Sequence, residues 1–152
     1  MAAKFNNPIN YSLCNFVAYP SGTLTGFGTN YKQLAFNLTM LNDESNYSTS
    51  TYTYTVPITG TYLINMEIAL TGITSSYTEC QYLIYVGGVS TYIVAQFNPY
   101  ACASSGTTLT LPISTVVSLT AAQALTFYLY FNGSGTVISV GTSSSITGIL
   151  LK

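Results

Sequence analysis

The sequence predicts an all-β sandwich, and three observations support that prediction. Segments with strand-like alternation recur about every ten residues, and turn residues separate them. No long segment places apolar residues at the three-and-four spacing of a helix. Residues 50–70 alternate between two kinds of side chain, break at Pro57 and Gly60, and then alternate again. Each predicted strand therefore has two different faces.

The predicted strands carry β-branched and aromatic residues at alternate positions, which is ordinary strand chemistry. In chain order they cover residues 14–19, 33–40, 50–56, 61–71, 80–86, 90–96, 107–111, 116–119, 125–131, 136–140 and 145–151. Turns or loops are predicted between them at residues 20–22, 41–46, 57–60, 87–88, 100–106 and 132–135. Gly87 and Gly88 indicate a tight hairpin, because glycine tolerates the backbone angles of a two-residue turn.

The composition is poor in charge and rich in hydroxyl groups. Charged residues make up 5% of the chain, against about 25% in an ordinary soluble domain. The 152 residues include no His, Arg or Trp, and Ser and Thr together supply 40 of them. Hydroxyl groups can face water or be buried with a hydrogen-bond partner at modest cost, whereas charges cannot. The net charge of -1 gives little repulsion between copies, so the composition favours a subunit of an assembly.

Several function classes are disfavoured by what the sequence lacks. The basic residues are Lys4, Lys32 and Lys152, too few for a nucleic-acid-binding patch. No run approaches 18 apolar residues, so no membrane span is predicted. The first residues lack the basic start and apolar run of a secretory signal, so synthesis in the cytosol is expected. Without histidine no side chain is an obvious base at neutral pH, so we predict no enzyme activity and no cofactor.

The cysteines and carboxylates show no recognisable metal-binding spacing. Cys14, Cys80 and Cys102 form an odd set and are expected to be small buried hydrophobic residues, with a Cys80–Cys102 bridge left open. Asp43 and Glu44 are expected to lie in a solvated loop, with a Ca²⁺ site as the alternative.

One block of the sequence resembles a known family. The stretch Tyr54-Thr-Val-Pro57-Ile-Thr-Gly60-Thr-Tyr62-Leu-Ile64 resembles the C1q/TNF-like family, in which Val-Pro, a turn and Gly-x-Tyr lead into the third main strand. Three further stretches resemble family strands and follow in the right order: Phe16–Tyr19, 119–131 and 145–151. The resemblance covers residues 14–152 as one domain and leaves residues 1–13 as an N-terminal extension.

The resemblance implies a ten-stranded jelly roll that assembles as a homotrimer. It also implies that one inner sheet is buried on both sides, by the sandwich core and by neighbouring subunits. The expected core residues are Tyr62, Ile64, Met66, Phe127, Leu129, Ile146 and Leu150. The expected trimer interface consists of Leu63, Asn65, Glu67, Tyr128, Tyr130, Thr147, Ile149 and Leu151. A monomer whose second face is merely rich in hydroxyl groups is the alternative.

Glu67 is the charged residue of that predicted interface. Three copies near a threefold axis would repel one another. Hydrogen bonds to hydroxyl groups or a position away from the axis are therefore expected, with a bound cation as the alternative.

Fold and composition together suggest two functions. The first is a non-enzymatic structural protein of a virus particle, a trimeric minor capsid or surface-decoration protein assembled in the host cytoplasm. Its expected partners are its own copies, neighbouring capsid or surface proteins, and host glycans or a receptor. The alternative is a trimeric receptor- or glycan-binding head, extracellular or on a spore or cell surface.

Overall fold

The computed structural model describes residues 15–88, 90–103, 108–135 and 137–151, which form two antiparallel sheets. Residues 1–13 and Cys14 lie outside the described residues. The strands are β1 (Phe16–Tyr19), β2 (Leu24–Phe27), β3 (Lys32–Gln33), β4 (Leu38–Asn42), β5 (Tyr47–Ser48), β6 (Thr53–Thr55), β7 (Gly60–Thr71), β8 (Glu79–Val86), β9 (Ser90–Phe97), β10 (Thr108–Leu119), β11 (Ala124–Asn132), β12 (Ile138–Val140) and β13 (Ser145–Leu150). The helical segments are a short 3-10 helix (Asp43–Ser45) and α1 (Pro99–Cys102).

The first sheet is built around the long strand β7. One side of β7 pairs with β10 along its whole length, from Gly60 opposite Leu119 to Thr71 opposite Thr108. The other side pairs with β13 and, near its end, with β12. Strands β1 and β4 extend the sheet beyond β13, and β2 extends it beyond β12. The two-sided pairing of β7 makes it the centre of this sheet.

The second sheet is built around β11. One side of β11 pairs with β8, which in turn pairs with β9. Its other side pairs with β6 and β3, and β5 pairs with β6. Because β11 and β8 each have neighbours on both sides, their inward side chains form the middle of the core.

The core lies between the two sheets and is made of the alternate residues of their strands. Six of the residues expected in the core are 0% exposed: Tyr62, Ile64, Met66, Phe127, Leu129 and Ile146. Leu150 is partly buried and packs against the same cluster. Phe16 on β1 stacks on Tyr54 of the second sheet, with 4.4 Å between ring centroids, and so joins the two sheets.

Gly148 on β13 makes room for the Phe16 ring. A Cβ atom at position 148 would overlap atoms of that ring. The two residues are paired across β13 and β1. This close approach requires a residue without a side chain.

Several predicted strands differ from the structure. The predicted strands 107–111 and 116–119 are one strand, β10, which continues through Pro112 because an edge strand can lack one donor. The predicted strand 33–40 is divided between β3 and β4, which belong to different sheets. Strand β2 was not predicted, because its four residues include a glycine and no regular alternation.

Candidate functional site

The outward side of the first sheet forms a regular surface of nine residues on β13, β7 and β10. We call it the first-sheet face. Its rows follow the strand register and are Ile149–Leu63–Val116, Thr147–Asn65–Ser114 and Ser145–Glu67–Pro112. The inward neighbours of these residues on β7 and β13 lie in the core, so this surface is the opposite side of the sheet.

Apolar and hydroxyl groups dominate the first-sheet face. Leu63 and Ile149 are half-buried, and Val116, on the edge strand β10, is 57% exposed. Leu151, just beyond β13, is 45% exposed. Glu67 is exposed, and its cross-strand neighbours, Ser145 and Pro112, are uncharged. This face therefore holds one charged group among nine residues.

The structure corrects the predicted location of Tyr128 and Tyr130. Both were expected on the same inner sheet as Leu63, but β11 belongs to the second sheet. Tyr128 pairs with Leu83 and Tyr130 with Gln81, both on β8. The apolar residues of β11 fill the core, so the two tyrosines point away from the first sheet. Alternation along a strand separates its two faces, but it does not select the neighbouring strand.

On the outward side of the second sheet, these tyrosines belong to a second surface. We call it the tyrosine face and define it by Tyr31, Gln81, Leu83, Tyr85, Tyr128 and Tyr130. Its rings form two pairs. Tyr31 stacks on Tyr130 at 4.8 Å between centroids and 27° between planes. Tyr85 lies 4.6 Å from Tyr128 at an interplanar angle of 52°.

Residues from both faces were missed in the sequence analysis. On the first-sheet face these are Pro112, Ser114 and Val116, for which the alternation of Thr110 to Ser118 was an available signal. On the tyrosine face, Tyr85 lies in a predicted strand, but the contact of its ring with Tyr128 joins distant segments of the chain.

Other parts of the described chain offer less chemistry. A shallow depression of about 370 Å³ lies between the loop of residues 28–30 and the turn around Gly133, and glycines line much of it. The described residues contain no group of three or more His, Cys, Asp or Glu side chains placed to hold a metal ion. Asp43 Oδ2 accepts a hydrogen bond from the Asn15 backbone at 3.3 Å. No helix among the described residues is long and apolar enough to cross a membrane.

Three buried groups, Cys80, Tyr47 and Tyr82, have raised pKa values. Burial raises the pKa of the Cys80 thiol, and the nearby Glu79 and Cys102 raise it further. A protonated, buried thiol is a poor nucleophile. Burial likewise raises the pKa values of Tyr47 and Tyr82. Cys80 and Cys102 are both free, so the structure contains no Cys80–Cys102 bridge.

Comparisons with known proteins agree on the architecture. No family model matches the chain, and no curated protein matches it by sequence. The globular domain of the zebrafish complement 1qA protein is similar in structure, with a TM-score of 0.62 and 14% identity over 91% of this chain and 98% of that chain. Crystal structures of murine APRIL at pH 5.0 and pH 8.0 also reach 0.62, at 12% and 11% identity and the same coverages. The predicted all-β class is confirmed, and the chain has the C1q/TNF-like jelly-roll fold.

Proposed function

We propose that this chain is a non-enzymatic structural protein that forms a homotrimer through the first-sheet face. The observation that carries the proposal is the composition of that face. It combines exposed and half-buried apolar side chains with hydroxyl groups and one carboxylate. Such a surface can be buried against identical copies at little desolvation cost, because few charges lose water.

The proposed interface keeps Leu63, Asn65, Glu67, Thr147, Ile149 and Leu151 from the sequence analysis and adds Val116, Ser114 and Pro112. Tyr128 and Tyr130 are excluded from it, because they lie on the other sheet. In a trimer of this kind, Glu67 takes a hydroxyl partner or sits away from the axis.

The proposed biological role is that of a minor capsid or surface-decoration protein of a virus particle. A jelly roll of this size suits a particle building block, and a chain with 5% charged residues tolerates dense packing against neighbouring proteins. Its partners would be its own copies and adjacent capsid or surface proteins, in a particle assembled in the host cytoplasm.

Two measurements test this proposal. Sedimentation equilibrium at micromolar concentration should report three times the 16.3 kDa chain mass. Mass spectrometry of purified particles should find the chain in a fixed ratio to the other shell proteins. A folded monomer with the mass of one chain would contradict the trimer. A trimer that is absent from purified virus particles would contradict only the capsid role.

A receptor- or glycan-binding head on a spore or cell surface is the second candidate. The observation that favours it is the tyrosine face, where Tyr31 is 53% exposed and lies beside a second tyrosine ring. Tyrosine offers a large apolar ring and a hydroxyl group, a combination common at binding surfaces. A purified trimer that binds glycans and is absent from any particle would favour this role over the first.

A further inference from the structure

The tyrosine face covers an outward-pointing leucine. Leu83 points away from the core, yet it is only 1% exposed. Its direct cross-strand neighbours are Tyr128 on one side and Ile93 on the other. Side chains at such positions lie close enough to touch. Tyr128 and Ile93 therefore flank Leu83 on this side of the sheet, which presents aromatic and aliphatic side chains.

The two ring pairs give this surface its shape. Tyr130 is half-buried, whereas Tyr31 on the outside of the stack is 53% exposed. One side of the Tyr31 ring therefore rests on Tyr130 and the other is available to a ligand. Tyr85 and Tyr128 provide a second pair on the adjoining strands. Flat apolar rings with hydroxyl groups at their rims can stack on the C–H faces of a pyranose ring.

The charge distribution selects the kind of ligand. Lys32 is the basic residue of the described chain, and its Nζ lies 5.1 Å from the centroid of the Phe27 ring, away from the tyrosine face. The neighbouring carboxylate is Glu79, at one end of β8. A phosphate, a sulfated sugar or a nucleic acid needs basic side chains to offset its charge, and the described residues of this surface include none. A neutral ligand needs no such partner.

A polar group on this surface also lacks a partner. Gln81 is 9% exposed, and its Nε2 contacts Oε1 of Glu79. Its own Oε1 is buried and accepts no hydrogen bond within the described structure. Such an unsatisfied acceptor is uncommon in a folded protein and would gain from a donor. Gln81 lies directly opposite Tyr130, so an outward rotation of its amide would bring the unsatisfied oxygen to a hydroxyl group of a ligand stacked on the tyrosines.

We infer that the tyrosine face binds a neutral oligosaccharide. The sugar rings stack on the exposed Tyr31 ring and on the half-buried rings beside it, and their hydroxyl groups bond the tyrosine hydroxyls and the Gln81 amide. This inference gives a site to the second candidate function and rests on it for the ligand class. It does not depend on the trimer, because the first-sheet face lies on the opposite side of the sandwich.

The test is isothermal titration calorimetry of the purified chain with linear neutral hexasaccharides of glucose, of mannose and of N-acetylglucosamine. Polygalacturonate fragments of the same length serve as the anionic comparison. At least one of the neutral hexasaccharides should bind. The substitution Tyr128→Leu should raise its dissociation constant about tenfold or more, because an aromatic ring of the surface is lost. Tyr100→Leu is the matched control, because Tyr100 is 44% exposed but lies on α1 outside the tyrosine face.

A second measurement needs no variant. In the unmodified chain with ¹³C-labelled tyrosine, the bound sugar should shift a subset of the 14 tyrosine ring signals. The inference is overturned if no neutral hexasaccharide binds at millimolar concentration, if the anionic fragments bind more tightly, or if Tyr100→Leu weakens binding as much as Tyr128→Leu. Sedimentation equilibrium on the same samples measures the mass of the assembly and so tests the trimer separately.

Discussion

The two outward faces of this sandwich differ in chemistry although both arise from the same period-two alternation. The first-sheet face carries small aliphatic and hydroxyl side chains with one carboxylate. The tyrosine face carries two pairs of aromatic rings over a covered leucine. Small side chains allow two flat sheets of identical subunits to approach closely, whereas large rings offer anchors for a different partner. The contrast teaches that the outward residues, rather than the core, distinguish the functions proposed for the two sheets.

The largest expected effect is dissociation of the trimer by Leu63→Asp. Leu63 lies at the centre of the row Ile149–Leu63–Val116, so a new carboxylate there would be buried without a partner in the proposed interface. We expect the dissociation constant to rise by more than about a hundredfold. Sedimentation equilibrium at micromolar concentration should then report one chain mass, and circular dichroism should show an unchanged β signal.

Tyr128→Asp is the matched control for Leu63→Asp. An interface that included β11 would dissociate with either substitution. Because the structure places Tyr128 on the opposite sheet, the Tyr128→Asp chain should remain a trimer. If Tyr128→Asp dissociates the trimer and Leu63→Asp does not, the subunit interface lies on the tyrosine face and not on the first-sheet face.

This pair of variants also marks how far the sequence could predict the structure. Alternation separated inward Phe127 and Leu129 from outward Tyr128 correctly, because the pleat determines which side chains share a face. It could not show that β11 pairs with β8 instead of β7, since pairing between distant segments leaves no local pattern. The break between β3 and β4 has the same origin, because the chain changes sheets there.

The candidate sites were predictable to a similar degree. Leu63, Glu67 and Ile149 share one side of adjacent strands, as the register of β7 and β13 requires. The tyrosine face depends on Tyr31, which lies outside any predicted strand and reaches Tyr130 through the pairing of β3 with β11. No sequence pattern marks such a contact. The trimer itself stays a prediction.

The next effect concerns the core that both faces share. Gly148→Ala should destabilise the chain by about 1–3 kcal/mol or more, because its Cβ would overlap the buried Phe16 ring. Urea denaturation monitored by circular dichroism measures this loss. Gly22→Ala is the control, since no atom lies within 4 Å of a Cβ at that position, and we expect a change of less than about 1 kcal/mol. Equal losses in the two variants would contradict the role assigned to Gly148.

High pH is also expected to lower the free energy of unfolding of the chain. Burial raises the pKa values of Cys80, Tyr47 and Tyr82 in the folded chain, so these groups keep their protons when the unfolded chain loses them. The folded state then binds more protons, and the free energy of unfolding falls as pH rises above the ordinary values, 9.0 for the thiol and 10.0 for the tyrosines. The expected slope is about 1.4 kcal/mol per pH unit for each group. Urea midpoints between pH 8 and pH 11 measure it, and a flat profile would contradict the burial of these groups.

The smallest expected effects come from two buried hydroxyl groups with opposite consequences. Tyr82 Oη is buried and has no hydrogen-bond partner within the described structure, so Tyr82→Phe should stabilise the chain by about 1 kcal/mol. Tyr47 Oη donates to the Phe36 carbonyl at 3.0 Å. Tyr47→Phe should therefore destabilise the chain by about 1 kcal/mol, because that buried carbonyl loses its donor. Each change removes one tyrosine hydroxyl group and the same volume. The difference between the two changes in the free energy of unfolding therefore reports the hydrogen bond rather than the lost volume.

Thermal melts of the two variants decide this prediction, with an expected rise of roughly 2–4 °C for Tyr82→Phe and a comparable fall for Tyr47→Phe. Both positions lie inside the sandwich, so neither change should alter the number of chains in the assembly or the binding of sugars at the tyrosine face. If Tyr82→Phe instead lowers the melting temperature, the Tyr82 hydroxyl has a partner, such as a bound water, that the packing of β8 against Phe97 must accommodate. That result would place a polar site inside the second sheet, directly beneath the face that carries the tyrosines.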